Sequence, residues 1–132
     1  MKYMLDTNIC IYIIRKHPPE VLKHFCQLYI GDIGISSITL AELNYGVKKS
    51  LHKKQNLEAL HAFIAPLEIV DFDAHAADCY GAIRAELEKI GKPIGSLDFM
   101  IAAHAQSLNI ILVTNNTKEF SRVKGLAIEN WA

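Results

Sequence analysis

The sequence predicts an α/β fold, a three-layer α/β/α sandwich built on a central parallel sheet. Short β-prone apolar runs recur along the chain at Tyr3–Leu5, Ile33–Ser36, Leu67–Val70 and Ile110–Val113. Helical stretches of roughly ten residues or more separate them, long enough for the crossovers that parallel strands require. The chain has 132 residues, 51% of them hydrophobic, which fits one domain over residues 1–132 with a core that needs no staple.

Each element has a local reason. Tyr3-Met4-Leu5 stops at Asp6 and reads as a strand; Thr7 to Lys16 reads as a helix, ended before Pro18-Pro19. Glu20–Tyr29 carries Val21, Leu22, Phe25 and Leu28 on one side and ends at Gly31. Ile33–Ser36 is the second strand, and Ser37 is placed to cap a helix running to about Lys49. Gln55–Ala65 shows a helical face of Leu57, Leu60, Phe63 and Ile64 before the strand Leu67–Val70. Asp73 can cap a long helix from Ala74 to Ile90, with Arg84 and Glu88 spaced as a surface pair and Gly91 and Pro93 as the stop. Ser96–Leu108 is helical again, Ile110–Val113 is a buried-type strand, and Thr114–Phe120 reads as a polar loop.

Bulk properties narrow the function classes. The formal net charge is zero, so no global field draws the chain onto nucleic acid, and any such contact must be local. The three cysteines have no metal-ligand spacing and read as reduced thiols of a cytoplasmic protein. The six histidines share no ligand pattern and read as structural or exposed. Asp6 and Asn8 interrupt the first apolar run, so neither a signal peptide nor a membrane span is expected. There is no P-loop and no GxGxxG, which argues against nucleotide and dinucleotide binding.

In open α/β sheets, sites lie beyond the carboxyl ends of the strands, and this rule selects among the acidic residues. Asp6 follows the first strand directly. Glu42 lies in the helix after the second, on the same face as Ile38 and Tyr45; Asp98 opens the helix Ser96–Leu108; Asn116 and Glu119 follow the last strand. Each has an ordinary alternative: Asp6 as an N-cap, Glu42 as a stripe-edge residue reaching towards Lys49, Asp98 as a helix-dipole partner, Asn116 and Glu119 as loop polarity. Jointly they can converge on one rim of the sheet. Carboxylates gathered there repel one another, and a hard divalent cation relieves the repulsion. Such a site suits metal-assisted phosphodiester hydrolysis.

Four segments carry a resemblance. Met4-Leu5-Asp6-Thr7-Asn8, Ser36 to Leu43 with Gly46, Gly91 to Asp98 followed by Ile101-Ala102-Ala103-His104-Ala105, and Val113 to Phe120 resemble, in order, the motifs of the PIN-domain ribonucleases, and among them the VapC toxins of type II toxin–antitoxin modules. The resemblance implies a PIN-like fold and a Mg²⁺- or Mn²⁺-dependent endoribonuclease. It implies an acidic core of Asp6, Glu42 and Asp98, with Asp6 and Asp98 on the metal. At the fourth position, often Asp in the family, this chain has Asn116; Glu119 in the same loop can supply the charge, and one metal is expected rather than two. It also implies a cytoplasmic homodimer silenced by a VapB-type antitoxin whose C-terminal segment blocks the site, and a tRNA substrate, including initiator tRNA in its anticodon region.

Beside these residues, Thr7 and Thr114 can hydrogen-bond a carboxylate, although simple capping is the expected role of each. Lys48, Lys49, Lys53 and Lys54, with His52, form one candidate phosphate-binding patch, and Arg84, Lys89 and Lys92 another; a solvated helix end is the ordinary reading of the first. Tyr45 and Phe99 can stack on a base, with core packing expected for both. The rival functions are a receiver-like signalling domain and a haloacid-dehalogenase-like phosphatase. The first expects an acidic pair near strand one and a Lys after the last strand; the second expects an Asp where Asn8 stands.

Overall fold

The computed structural model describes all 132 residues. Five strands form one wholly parallel sheet: β1 (Tyr3–Leu5), β2 (Ile33–Ser36), β3 (Glu68–Val70), β4 (Ile111–Val113) and β5 (Ile128–Glu129), in the order β3-β2-β1-β4-β5. Seven helices connect them: α1 (Thr7–Arg15), α2 (Pro19–Cys26), α3 (Ser37–Lys48), α4 (Lys53–Ile64), α5 (Ala74–Lys89), α6 (Ser96–Ser107) and α7 (Thr117–Phe120). The three-layer sandwich expected from the alternation of elements is present. The order is not that of a receiver domain, in which the first strand lies between the second and third.

Period-two alternation divides the core between the two faces of the sheet. Leu5, Ile33, Ile35 and Val113 pack on one side against Ile9, Cys10 and Ile13 of α1, Val21 of α2, Leu43 of α3 and Leu60 of α4. Met4 and Leu112 point the other way, into Leu87 of α5, Phe99, Ile101, Ala102 and Ala105 of α6, and Phe120. The small side chains of α6 let α5 lie along it, the most extensive helix–helix packing in the molecule.

Several boundaries differ from the sequence expectation. The cap of α3 is Ser36, whose Oγ accepts the Ile38 amide at 3.0 Å; Ser37 is already helical, and its Oγ accepts the Phe72 amide at 3.0 Å. Both serines can cap, and Ser36 does so because its extended backbone belongs to the end of β2. Helix α4 starts at Lys53, two residues earlier than its apolar face suggests, because the first turn is solvent-exposed and leaves no periodicity. The segment read as a loop after β4 contains α7, one turn in length, and Ile128–Glu129 adds a short edge strand. Asp73 caps α5 as expected, accepting from the Ala76 amide at 2.9 Å; that bond holds its carboxyl below the usual range.

The chain runs from β1 outward to β3, then returns to the other side of β1 for β4 and β5, so the switch in direction falls between β1 and β4. The register pairs Leu5 with Val113, and the Asp6 amide donates to the Val113 carbonyl at 3.0 Å. Asp6 and Thr114 therefore leave the sheet side by side at the switch point, where α/β sheets open a crevice.

Gly34 tests this frame. A Cβ there would lie 2.9 Å from the backbone carbonyl oxygen of Glu68 in the neighbouring strand, which cannot swing aside. Gly34→Ala is expected to lower unfolding stability by about 1–3 kcal/mol, the usual cost of overpacking, read as a shift of the urea midpoint at constant slope.

Candidate active site

Asp6 is the deepest of the acidic residues, 4% exposed. Its Oδ1 caps α1 by accepting the Ile9 amide at 2.9 Å, so the capping role and a place in the site coexist in one side chain. Burial pushes its carboxyl up; the Thr114 hydroxyl and the Ile9 and Asn8 amides oppose that rise, and the Glu42 charge adds to it. Thr114 also accepts the Asn116 amide through its hydroxyl oxygen at 2.9 Å, which turns the chain into α7.

Glu42 enters from α3. Its Oε1 accepts the Thr7 hydroxyl at 2.9 Å, across 35 residues of sequence. It does not reach Lys49, whose ammonium instead lies 4.9 Å from the centre of the Tyr45 ring. Thr7 is thus more than a helix-start residue: it ties the first turn of α1 to the carboxylate of α3.

Asp98 sits in the first turn of α6, half-buried, with its pKa raised to about 6. Burial contributes most, followed by the charges of Glu119, Asp6 and Glu42 in that order. Asp98 thus shares its field with all three of the other carboxylates. Asn116 donates through Nδ2 to Glu119 Oε2 at 3.1 Å. In the last-strand loop, the charge facing Asp98 is therefore Glu119, and Asn116 holds it.

Two residues outside the acidic set position it. His104, six positions after Asp98 on α6 and 1% exposed, places Nδ1 2.7 Å from the Ser36 hydroxyl. Burial lowers its pKa and keeps the ring neutral, so Nδ1 can accept the hydroxyl proton while Ser36 Oγ receives the Ile38 amide. The Asp98 helix is thereby fastened to the N-terminus of the Glu42 helix. The sequence signal was a histidine inside an Ala-rich helical stripe, where an imidazole needs a polar partner.

The remaining candidates separate. Phe99 is buried and packs in the core, with Arg84 over its ring; Arg84 also pairs with Glu88, so it belongs to the α5 surface and not to a free phosphate patch. Lys48, Lys49, His52, Lys53 and Lys54 are exposed, as are Lys89 and Lys92. Tyr45, expected in the core, is 65% exposed. It lies on the wall of a cleft of about 540 Å³ between α1, α3 and α4, which Thr7 and Glu42 also line.

Residues 3–126 match the PIN domain family. The chain is 48% identical over 132 residues to the tRNA(fMet)-specific endonuclease VapC of Shigella flexneri, covering 100% of this chain and 99% of the relative. The chain belongs to the PIN-domain family, among its VapC ribonucleases. It is also 52% identical to ribonuclease VapC2 of Rickettsia felis, over 99% of this chain and 98% of that protein. In the crystal structure of Rickettsia felis VapBC2 bound to a promoter DNA fragment, the matching chain superposes with a TM-score of 0.93 at 50% identity, over the whole of both chains. The DNA-bound VapBC structure from Salmonella typhimurium gives 0.94 at 47%, over 100% of this chain and 99% of that one. Neither rival family is among these matches.

Membership in the PIN family carries use of a divalent metal, and the donor chemistry here fits it. No three side chains converge tightly enough to enclose an ion alone. The two ion pairs of the molecule, His24–Glu129 and Arg84–Glu88, leave all four facing carboxylates without a cationic side chain. An open, under-neutralised set of this kind suits a hydrated hard ion that takes one or two protein carboxylates and keeps its waters.

The raised Asp98 pKa gives a signed expectation. Between the usual carboxylate value of 3.8 and about 6, the folded chain binds more protons than the unfolded chain. Metal-free stability therefore falls as pH rises through that window and stays reduced above it. Asp98→Asn removes the ionisation and should raise metal-free stability at pH 7 by about 1–2 kcal/mol after allowance for solvent screening. Thermal melts in chelator at pH 4.5 and 7 check both the gain and its loss in acid.

Proposed function

We propose that this chain, as a single PIN-like domain over residues 1–132, is the metal-dependent endoribonuclease toxin of a toxin–antitoxin module, hydrolysing tRNA to stop translation. The observation that supports this reading best is the gathering of Asp6, Glu42, Asp98 and Glu119, none paired with a cationic side chain, at the switch point of a parallel sheet. The initiator tRNA named in the Shigella relative is the proposed substrate, and the anticodon region its target. The VapBC assemblies among the structural matches support a VapB-type antitoxin as partner, and we propose that its C-terminal segment covers the acidic site. We propose a cytoplasmic homodimer as the working form.

In this reading Asp6 and Asp98 are the residues that would hold Mg²⁺ or Mn²⁺, which when bound would acidify a water and offset charge on the phosphate. Glu42, aimed by the Thr7 hydroxyl, orients the attacking water and takes its proton. The water oxygen bonds to phosphorus as the bond to the leaving ribose oxygen breaks, and that oxygen leaves with a proton from solvent. Glu119, steered by Asn116, adds a negative charge beside Asp98 that raises its affinity for a proton and would draw a divalent cation in the same way. His104 and Ser36 maintain the relative placement of α6 and α3. No covalent intermediate forms.

The test is cleavage of purified initiator tRNA by the purified chain in Mn²⁺. Asp6→Asn and Asp98→Asn should each lower kcat/KM by at least ~100-fold, as expected for lost transition-state charge stabilisation, with circular dichroism unchanged. Chelator should abolish the wild-type reaction. Cleavage that persists in chelator, or in both variants, contradicts the mechanism. Labelling of Asp6 by a phosphoryl donor would point instead to phosphatase or receiver chemistry.

A further inference from the structure

Tyr45 is the one aromatic ring that combines high exposure with a place beside the proposed site. It stands three residues after Glu42 on α3, so the two side chains are neighbours about 5–6 Å apart on the helix surface. Both line the cleft between α1, α3 and α4. A tyrosine at this position buries little, 65% of it remaining in solvent, so core packing does not account for it. Lys49, one turn further along, sets its ammonium 4.9 Å from the ring centre. Exposed Lys48 continues the row at the helix end, and Arg15 of α1 lies across the cleft. The row thus runs from carboxylate to flat aromatic to cations, on a chain whose net charge is zero.

We infer that Tyr45 is a stacking platform for the base of a nucleotide adjacent to the scissile phosphate, with Lys49 on the neighbouring backbone phosphate; this rests on the ribonuclease reading above. The chemistry matches an RNA strand part by part. Every base offers a π-face, so a single exposed ring can hold a splayed nucleotide without reading its identity. The ammonium lies over one face of the ring; a base that stacks on that face displaces it onto the phosphate that follows, and a local cluster replaces the global field the chain lacks. The spacing from Tyr45 to Glu42 is the reach of about one nucleotide, which places the next phosphodiester at the carboxylates. A stacked base sets where along a strand cleavage falls, so Tyr45 is a substrate-positioning residue and takes no part in proton transfer.

The experiment measures steady-state cleavage of a transcribed initiator tRNA by the full chain in Mn²⁺. Tyr45→Ala should raise KM on the order of tenfold or more, the range found for lost base–aromatic stacking, with kcat within about threefold of wild type. Tyr45→Phe and Tyr45→Trp should recover KM. Lys49→Met should lower the salt slope of binding by about one. Tyr29→Ala, which removes another exposed tyrosine far from the acidic rim, should leave KM unchanged. An unchanged KM in Tyr45→Ala overturns the proposal, as does failure of Phe to rescue, which would assign the effect to the hydroxyl. A loss of antitoxin binding with RNA kinetics intact also overturns it, assigning the ring to the protein partner. Asp98→Asn is run in parallel: if it cleaves like wild type, the ribonuclease site itself is misassigned and the platform falls with it, whereas failure confined to Tyr45 leaves the acidic site standing.

Discussion

The constraint on which the site depends is electrostatic. A parallel sheet whose direction switches between β1 and β4 sets Asp6 beside Thr114, and the flanking helices bring Glu42, Asp98 and Glu119 to the same rim. Water is partly excluded there, and burial first, with the neighbouring carboxylate charges adding to it, raises the Asp6 and Asp98 carboxyls. The fold meets this cost with neutral donors: the Ile9 amide for Asp6, the Thr7 hydroxyl for Glu42, the Asn116 amide for Glu119. These bonds orient the carboxylates without neutralising them, and under the proposed function the residual negative field is what would attract a cation. Stability is given up locally for chemistry, as is usual where like charges are held close.

The rest of the structure serves the rigidity of that rim. The two core clusters grip the sheet from both faces through alternate residues of β1 and β4, Leu5 and Val113 on one side and Met4 and Leu112 on the other. The Ser36–His104 bond closes the remaining gap by tying α3 to α6 inside the protein. Glu42 and Asp98 lie far apart in sequence, and their relative position depends on this buried link together with helix packing. An imidazole that became charged there would lose its acceptor nitrogen, and burial disfavours that charge.

Much of this was legible from residues alone, for identifiable reasons. Strands β1, β2 and β4 are buried on both sides and therefore read as apolar runs, and α5 carries its own cap in Asp73 and its own stop in Gly91. The acidic residues stood out because the carboxyl-end rule selects them. What escaped were features fixed by tertiary contact: the one-turn helix α7, the two-residue β5, and the choice of Ser36 over Ser37 as cap. Tyr45 shares a helix face with Ile38 and was expected inside, yet the cleft between α1, α3 and α4 leaves it open while Ile38 packs towards the core. The division of labour between Asn116 and Glu119 was equally hidden, since both are polar residues of one loop, and only their mutual hydrogen bond separates holder from charge.

The central claim is that opposed carboxylates with a partly protonated Asp98 form one divalent-ion site. Calorimetric titration of Mn²⁺ into the protein at pH 6, repeated in buffers of different ionisation enthalpy, tests it most directly, because an ion that displaces the Asp98 proton must release it to the buffer. The account predicts a single binding event with release of a substantial fraction of one proton, and no release at pH 8. Binding without proton release at pH 6, or no Mn²⁺ binding at either pH, would contradict it.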